Sequence, residues 1–233
     1  MALLVLGLAV AIPTSGNAAP PNVKGKITGQ DKLLPEVYQE TTKPEAHRWT
    51  WREPSPSTDV KFRTLSGNPS RDLCIAATSS ANQAALEPIG MRVTGGRVYP
   101  TTIVVSPGTQ LTFKNVDPFK HRIYVDKQPT MKAEDLAPNG SRTWTAPGAG
   151  KYEVRDELFP SVRTWIVVDP QVVAVSYPGR DGAFAFNLPA GEYVLKPFFN
   201  GKAVGRPASV TAKEKNAVEL KEPLNVGEGA ETK

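Results

Sequence analysis

The side chains able to coordinate a metal or drive acid–base chemistry are few. The chain of 233 residues contains two histidines, His47 and His121, and one cysteine, Cys74. A zinc site needs three or four converging N, S or O ligands, and a hydrolytic triad needs a nucleophile beside an oriented histidine. The two histidines lie in segments of different character, so neither a multi-His metal site nor a triad is expected. Asp156 and Glu157 are neighbours in a strand-like segment and point to opposite faces, which rules them out as a catalytic pair. No nucleophile elbow, phosphate-cradling loop, HExxH or CxxC occurs. Cys74 sits inside the apolar run Leu73–Ala77 and reads as a small buried hydrophobe rather than a reactive thiolate. A single cysteine makes no internal disulfide, so stability must come from burial. These features point away from an enzyme.

The elements that would position these groups are strands. The chain carries 22 prolines, too many for long helices, since each interior proline costs about 3 kcal/mol there. Between Pro88 and Pro207 they recur at intervals of 7 to 13 residues, the turn rhythm of a sandwich. The expected class is therefore all-β. TTIVV, QLTF, HRIYV (121–125) and RTWIVVD (163–169) read as strands, the last dense enough to be buried on both faces. SSANQAALE (79–87) is the one expected helical turn. APNGSRTWTAPGAGKYEV reads as a hairpin. In the C-terminal unit, AFAFNL and YVLKPFF read as a second hairpin joined at Pro189–Gly191, with Phe184, Phe186 and Leu188 on one face. Residues 30–60 read as an extended arm, and 223–233 as a polar, loose tail.

Met1–Ile12 form an uncharged apolar run, followed by a small-x-small site at Gly16-Asn17-Ala18 that would end a signal over residues 1–18. The run is too short to span a bilayer and fits a secretory signal, so an exported protein, periplasmic or at the cell surface, is expected with no transmembrane span in the mature chain. The formal charge of +5 is spread among acids without a basic run, so no nucleic-acid surface is expected. In HRWTWRE (47–53), alternation puts Trp49 and Trp51 on one face. They either pin the arm onto the core or present a partner-binding surface.

The stretch GRVYPTTIVVSPGTQLTFKNVDPFKHRIYV, followed by the APNGSRTWTAPGAGKYEV segment and RTWIVVD, resembles the cupredoxin family of plastocyanin-related blue-copper domains over residues 96–169. The resemblance implies a Greek-key cupredoxin-like sandwich in which His121 is the first copper ligand. The family's other ligands form a Cys-x-x-His-then-Met loop, and the matching positions here hold Asp156, Phe159 and Val162. One ligand of four carries over, which implies no cofactor, with Phe159 and Val162 filling the end of the sandwich. Phe159 joins Trp49 and Trp51 as a candidate for partner binding. His121 is either a buried, hydrogen-bonded histidine or half of a His121/Asp156 site for Cu(II) or Zn(II).

GRDGAFAFNLPAGEYVLKPFFNGK resembles the carboxypeptidase regulatory-like (transthyretin-like) sandwich. A cupredoxin-like unit followed by such a domain resembles exported bacterial proteins of the methylamine-utilisation, plastocyanin-like type, and this implies that residues 23–29 pair with the C-terminal sheet. The expected organisation is a signal peptide (1–18), an N-terminal strand and arm (19–90), a cupredoxin-like domain (91–170), a smaller β-sandwich (171–222) and a tail (223–233). The expected function is that of an exported, non-enzymatic binding or structural protein of the bacterial envelope with an envelope or cell-surface protein partner. The alternative is copper binding or electron transfer at His121.

Overall fold

The computed structural model describes residues 21–33 and 69–227, apart from 129, 180 and 215. The expectations for 1–18, His47, Trp49, Trp51 and most of the arm fall outside these residues. In chain order the strands are β1 (Val23–Thr28), β2 (Leu73–Thr78), β3 (Ile89–Thr94), β4 (Arg97–Tyr99), β5 (Thr102–Val105) and β6 (Gln110–Asn115). They continue with β7 (Ile123–Val125), β8 (Ser141–Thr145), β9 (Gly150–Asp156), β10 (Arg163–Val168), β11 (Val172–Ser176) and β12 (Ala183–Phe186). The last are β13 (Gly191–Phe199), β14 (Lys202–Ala203), β15 (Ala208–Ala212), β16 (Val218–Glu219) and β17 (Leu224–Asn225). Among the described residues, helix is confined to single turns at Gln30–Leu33 and Pro69–Asp72.

The first sandwich packs the sheet β4–β3–β6–β8 against β5–β10–β9–β7. Strands β3 and β6 run parallel, as do β5 and β10. Parallel neighbours cannot be joined by tight turns, so the chain crosses between the sheets in Greek-key fashion. Alternation builds the core: β6 buries Leu111, Phe113 and Asn115 and leaves Gln110 and Lys114 exposed. Met91, Ile103, Ile123, Trp144 and Ile166 complete it.

In the second sandwich, β11–β2–β13, extended by β14 and β15, faces a sheet in which β1 lies between antiparallel β12 and parallel β16 and β17. Its core holds Val23, Ile27, Leu73, Ile75, Phe184, Phe186 and Leu195. The two sandwiches share an apolar joint. Cys74, Ala76, Val172 and Phe198 meet Val104 there, flanked by Val167 and Tyr177. Strands β2 and β5 are buried at every residue because each faces a sandwich core on one side and the joint on the other. The chain leaves the second sandwich at Thr78 and re-enters it at Val172, which are paired in register. Just outside that pair, the Ser79 N–H donates to Gln171 O (3.0 Å) and the Gln83 N–H to Pro170 O (2.7 Å).

Several expectations are corrected. Neither expected hairpin forms: β8 pairs with β6 while β9 pairs with β10 and β7, and β12 pairs with β1 while β13 pairs with β2 and β15. Both short turns arch from one sheet to the facing one, so Phe184 and Phe186 pack across a core rather than beside Tyr193 and Leu195. Residues 79–87 are not helical. Ser106 Oγ and Thr109 Oγ1 take the Leu86 N–H (3.0 Å each), and Ser106 donates to Ala84 O (2.7 Å), which holds the segment extended along the first sandwich. Leu73–Thr78, left with the arm in the 19–90 segment, is the central strand β2. β10 alternates, with Trp165 and Val167 only half-buried, instead of being closed on both faces. The 223–233 tail begins as β17, with Leu224 and Val226 buried against the second core. Two apolar residues there outweigh the polar composition around them.

Candidate functional site

The end of β6 starts the site. Asn115 is fully buried, and its side-chain amide donates to Phe119 O (2.8 Å) and Leu136 O (3.0 Å). Its Oδ1 accepts the Asp117 N–H (2.9 Å). These bonds coil the NVDPFKH loop so that Asp117 and His121 face the same interior. His121 then enters a single bridge to Leu136, with backbone bonds of 3.0 and 2.7 Å.

The His121 side chain is 0% exposed. Its Nδ1 lies 2.7 Å from Asp156 Oδ2 and its Nε2 lies 3.1 Å from Asp117 Oδ2. Each ring nitrogen thus faces a carboxylate oxygen at hydrogen-bond distance, and a ring N–H donates to it. Each carboxylate uses its second oxygen on backbone amides. Asp156 Oδ1 takes the N–H groups of Leu158 (2.7 Å) and Phe159 (3.1 Å). Asp117 Oδ1 takes that of Gly95 (2.8 Å), whose φ of +58° turns the chain toward it. The buried charges are therefore paired and hydrogen-bonded, the condition under which such groups are tolerated.

Aromatic rings roof the cluster. The Phe159 ring centroid lies 4.9 Å from the imidazole and that of Phe119 lies 5.2 Å away, with 4.8 Å between the two phenyl rings. Phe159 is half-buried by this packing, so the apolar exposure at this end falls to Phe119 (41%) and Leu158 (42%). Val162 is fully buried beneath them. A rim of ion pairs surrounds the roof: Lys120–Asp135 at 2.9 Å, Arg122–Asp135 at 3.0 Å and Arg122–Glu157 at 2.9 Å. The Lys120 bond holds the Asp135 carboxyl below the usual carboxylate range.

The sequence brings His121 and Asp156 forward, and the structure joins them. It also brings in Asp117, Phe119 and Leu158, which sequence reasoning missed. The available signal was a carboxylate four residues before the histidine, in Asp117-Pro-Phe-Lys-His121. Arg155 and Arg163, the cations near Asp156 in sequence, both bind Glu153 instead.

This geometry does not fit a copper ion. The two carboxylates sit on opposite edges of the imidazole and do not converge, and Asp156 Oδ2 closes off Nδ1 at hydrogen-bond distance. Cys74 is in the joint, in contact with Val104 and Tyr177 and not with this cluster. Burial pushes its thiol up to about 12, against the thiolate a soft-metal site requires. Among the described residues no group of three or more His, Cys, Asp or Glu is arranged to hold a metal. No described helix is long and apolar enough to cross a membrane.

No family model matches the chain, and no curated protein matches it. Among solved structures it is similar to amicyanin from Paracoccus versutus, at 14% identity over 41% of this chain and 97% of that one, with a TM-score of 0.33. A purple cupredoxin from Nitrosopumilus maritimus is similar at 15% identity over 35% of this chain and 99% of that one, with a TM-score of 0.32. A Cu-containing nitrite reductase from Thermus scotoductus SA-01 is similar at 21% identity, covering 40% of this chain and 25% of that one, with a TM-score of 0.32.

Proposed function

We propose that this chain is an exported, non-enzymatic binding or structural protein of the bacterial envelope. In this reading a cupredoxin-like domain (91–170) without a complete copper site is carried by a carboxypeptidase regulatory-like sandwich (171–222). The single observation behind it is the occupation of both His121 nitrogens by Asp156 and Asp117. A histidine so engaged is a structural crosslink, not an open ligand. Export rests on the apolar run Met1–Ile12 and the small-x-small site Gly16-Asn17-Ala18 that follows it. The protein partner is read as an envelope or cell-surface protein, with Trp49, Trp51 and Phe159 as contact candidates and Phe119 and Leu158 beside the last.

Thermal unfolding of metal-free protein with and without Cu(II) tests this reading. A ligand that binds the native state at 100 times its Kd adds about 2.7 kcal/mol. For a chain of this size that is a rise in Tm of about 5–11 °C. The expected result is an unchanged Tm and no visible absorption band. A rise of several degrees, or copper retained through chelation and dialysis, would establish the rival copper-binding function at His121.

A further inference from the structure

The outward face of the sheet β4–β3–β6–β8 carries an unbalanced charge. Met91, Val93, Val98, Leu111, Phe113 and Trp144 turn into the core, so the alternate residues of these strands look outward. In register across the strands these are Tyr99, Arg92, Lys114 and Ser141. Neighbouring strands lie about 4.8 Å apart, so Arg92 and Lys114 are adjacent cations, both exposed. Neither makes an ion pair among the described residues. Like charges set directly opposite each other destabilise a sheet, and here no acid in the row relieves them.

The surroundings add to the charge. The Arg71 guanidinium lies over the Tyr99 ring, 5.3 Å from its centroid, and binds Asp72 at 2.7 Å. Arg97 stands two residues from Tyr99 on the same face. Burial, and then the charge of Arg71, lower its pKa, while Asp72 raises it. Among the described residues Arg71, Arg92, Arg97 and Lys114 thus lie on this side of the sheet, with Arg71 bound to Asp72. Thr112, Thr143 and Ser141 carry hydroxyls onto the same face, with the Thr112 and Thr143 oxygens 3.3 Å apart.

We infer that this face binds an anionic polysaccharide, its acid groups meeting Arg92 and Lys114 and its hydroxyls meeting the threonine row. Charge complementarity selects a polyanion. A nucleic acid would need open aromatic faces on which bases stack, but the one aromatic here, Tyr99, is 37% exposed and has Arg71 over its ring. A protein partner would need apolar anchors at the centre of the contact, whereas the exposed apolar groups here, Tyr99 (37%) and Val116 (38%), lie at strand ends and not between Arg92 and Lys114. The inference deepens the reading of the chain as an exported binding protein, and rests on it for the presence of such polymers.

The test titrates the full chain with polygalacturonate, neutral dextran and poly(dT) at several salt concentrations. The expected result is binding to polygalacturonate that weakens with salt, and no binding to dextran. The double variant Arg92→Gln/Lys114→Gln lowers the affinity at least about tenfold and reduces the salt dependence by about two charges. The variant Lys24→Gln/Lys26→Gln removes the same net charge from exposed positions on β1 in the second sandwich, and changes the affinity less than about twofold. Arg92→Gln alone raises Tm by about 1–3 °C by relieving the like-charge contact, which also shows the variant to be folded. Equal losses from both double variants, tighter binding to poly(dT), or no binding to polygalacturonate overturns the proposal. Those outcomes leave the Cu(II) result untouched, so failure of this face is distinguishable from failure of the reading beneath it.

Discussion

His121 and Cys74 are both fully buried, yet one is wrapped in carboxylates and amides and the other in alkyl groups. Around His121 every strong acceptor has a donor: two carboxylates, two ring nitrogens and four backbone N–H groups close on one another. Around Cys74 the neighbours are Ala76, Val104, Val172 and Phe198, and desolvation alone dominates the thiol's chemistry. The difference shows how a fold can silence two reactive groups by opposite means. The imidazole is silenced by saturation with partners and the thiol by desolvation, which outweighs the Val104 and Tyr177 hydrogen bonds that favour its anion. Keeping them in separate cores also keeps nitrogen and sulfur from converging on one ion.

The largest effect expected of this contrast lies at the polar centre. His121→Ala leaves Asp117 and Asp156 buried without their shared hydrogen-bond partner, and removing one member of a buried charged cluster costs about 3–5 kcal/mol. Urea unfolding would register this as a lower midpoint. A loss below about 1 kcal/mol, the scale of an exposed pair, would break the contrast.

The next effect belongs to the joint and depends on pH. The Cys74 thiol ionises near 9.0 when unfolded and at about 12 in the native protein. Above pH 9 the unfolded chain releases a proton that the native state keeps, so the native state binds more protons and stability falls as pH rises. The contribution is intact below pH 9 and is lost by about pH 12, with a total of about 4 kcal/mol. Comparing the protein with Cys74→Ala at pH 8 and pH 10.5 should show a steeper alkaline loss in the parent. Parallel pH profiles would mean that the thiol is not held in its neutral form by burial.

The smallest effect sharpens the comparison from the other side. Thr102 Oγ1 is buried without a hydrogen-bond partner among the described residues, the kind of group the His121 centre avoids. Thr102→Val keeps the shape and removes the orphan hydroxyl, so it should raise stability by about 1 kcal/mol. A lower Tm would show that the oxygen is satisfied after all.

Sequence reasoning read the strand class and the sides of the strands well, because alternation is local. Leu111 and Phe113, or Phe184 and Phe186, declare their buried face without reference to any partner. Partner choice was less legible. The Ala-Pro-Gly-Ala-Gly and Pro189–Gly191 turns carry the residues of hairpins, but turn chemistry specifies only reversal of direction, and whether the next strand lies beside its predecessor or across the core is set by distant pairing. β2 was hidden for the same reason. A continuous apolar run has no period, and its place between β11 and β13 depends on residues about a hundred positions later. In the site, His121 and Asp156 were found by their resemblance to a ligand pattern, whereas Asp117 had no counterpart there and became visible only once Asn115 had coiled the loop.

The register of Thr78 with Val172 has a consequence for the order of events in folding. In an unfolded chain the roughly 90 residues between them form a flexible loop, and closing a loop of that length costs roughly 4 kcal/mol on the scaling term alone. Once the first sandwich has formed, the Ser79–Gln171 and Gln83–Pro170 bonds already hold those two ends side by side. The β2–β11 ladder then becomes a local event, little different from a tight turn. Assembly of the second sandwich is in this way conditional on the first, although the first contributes no strand to its sheets.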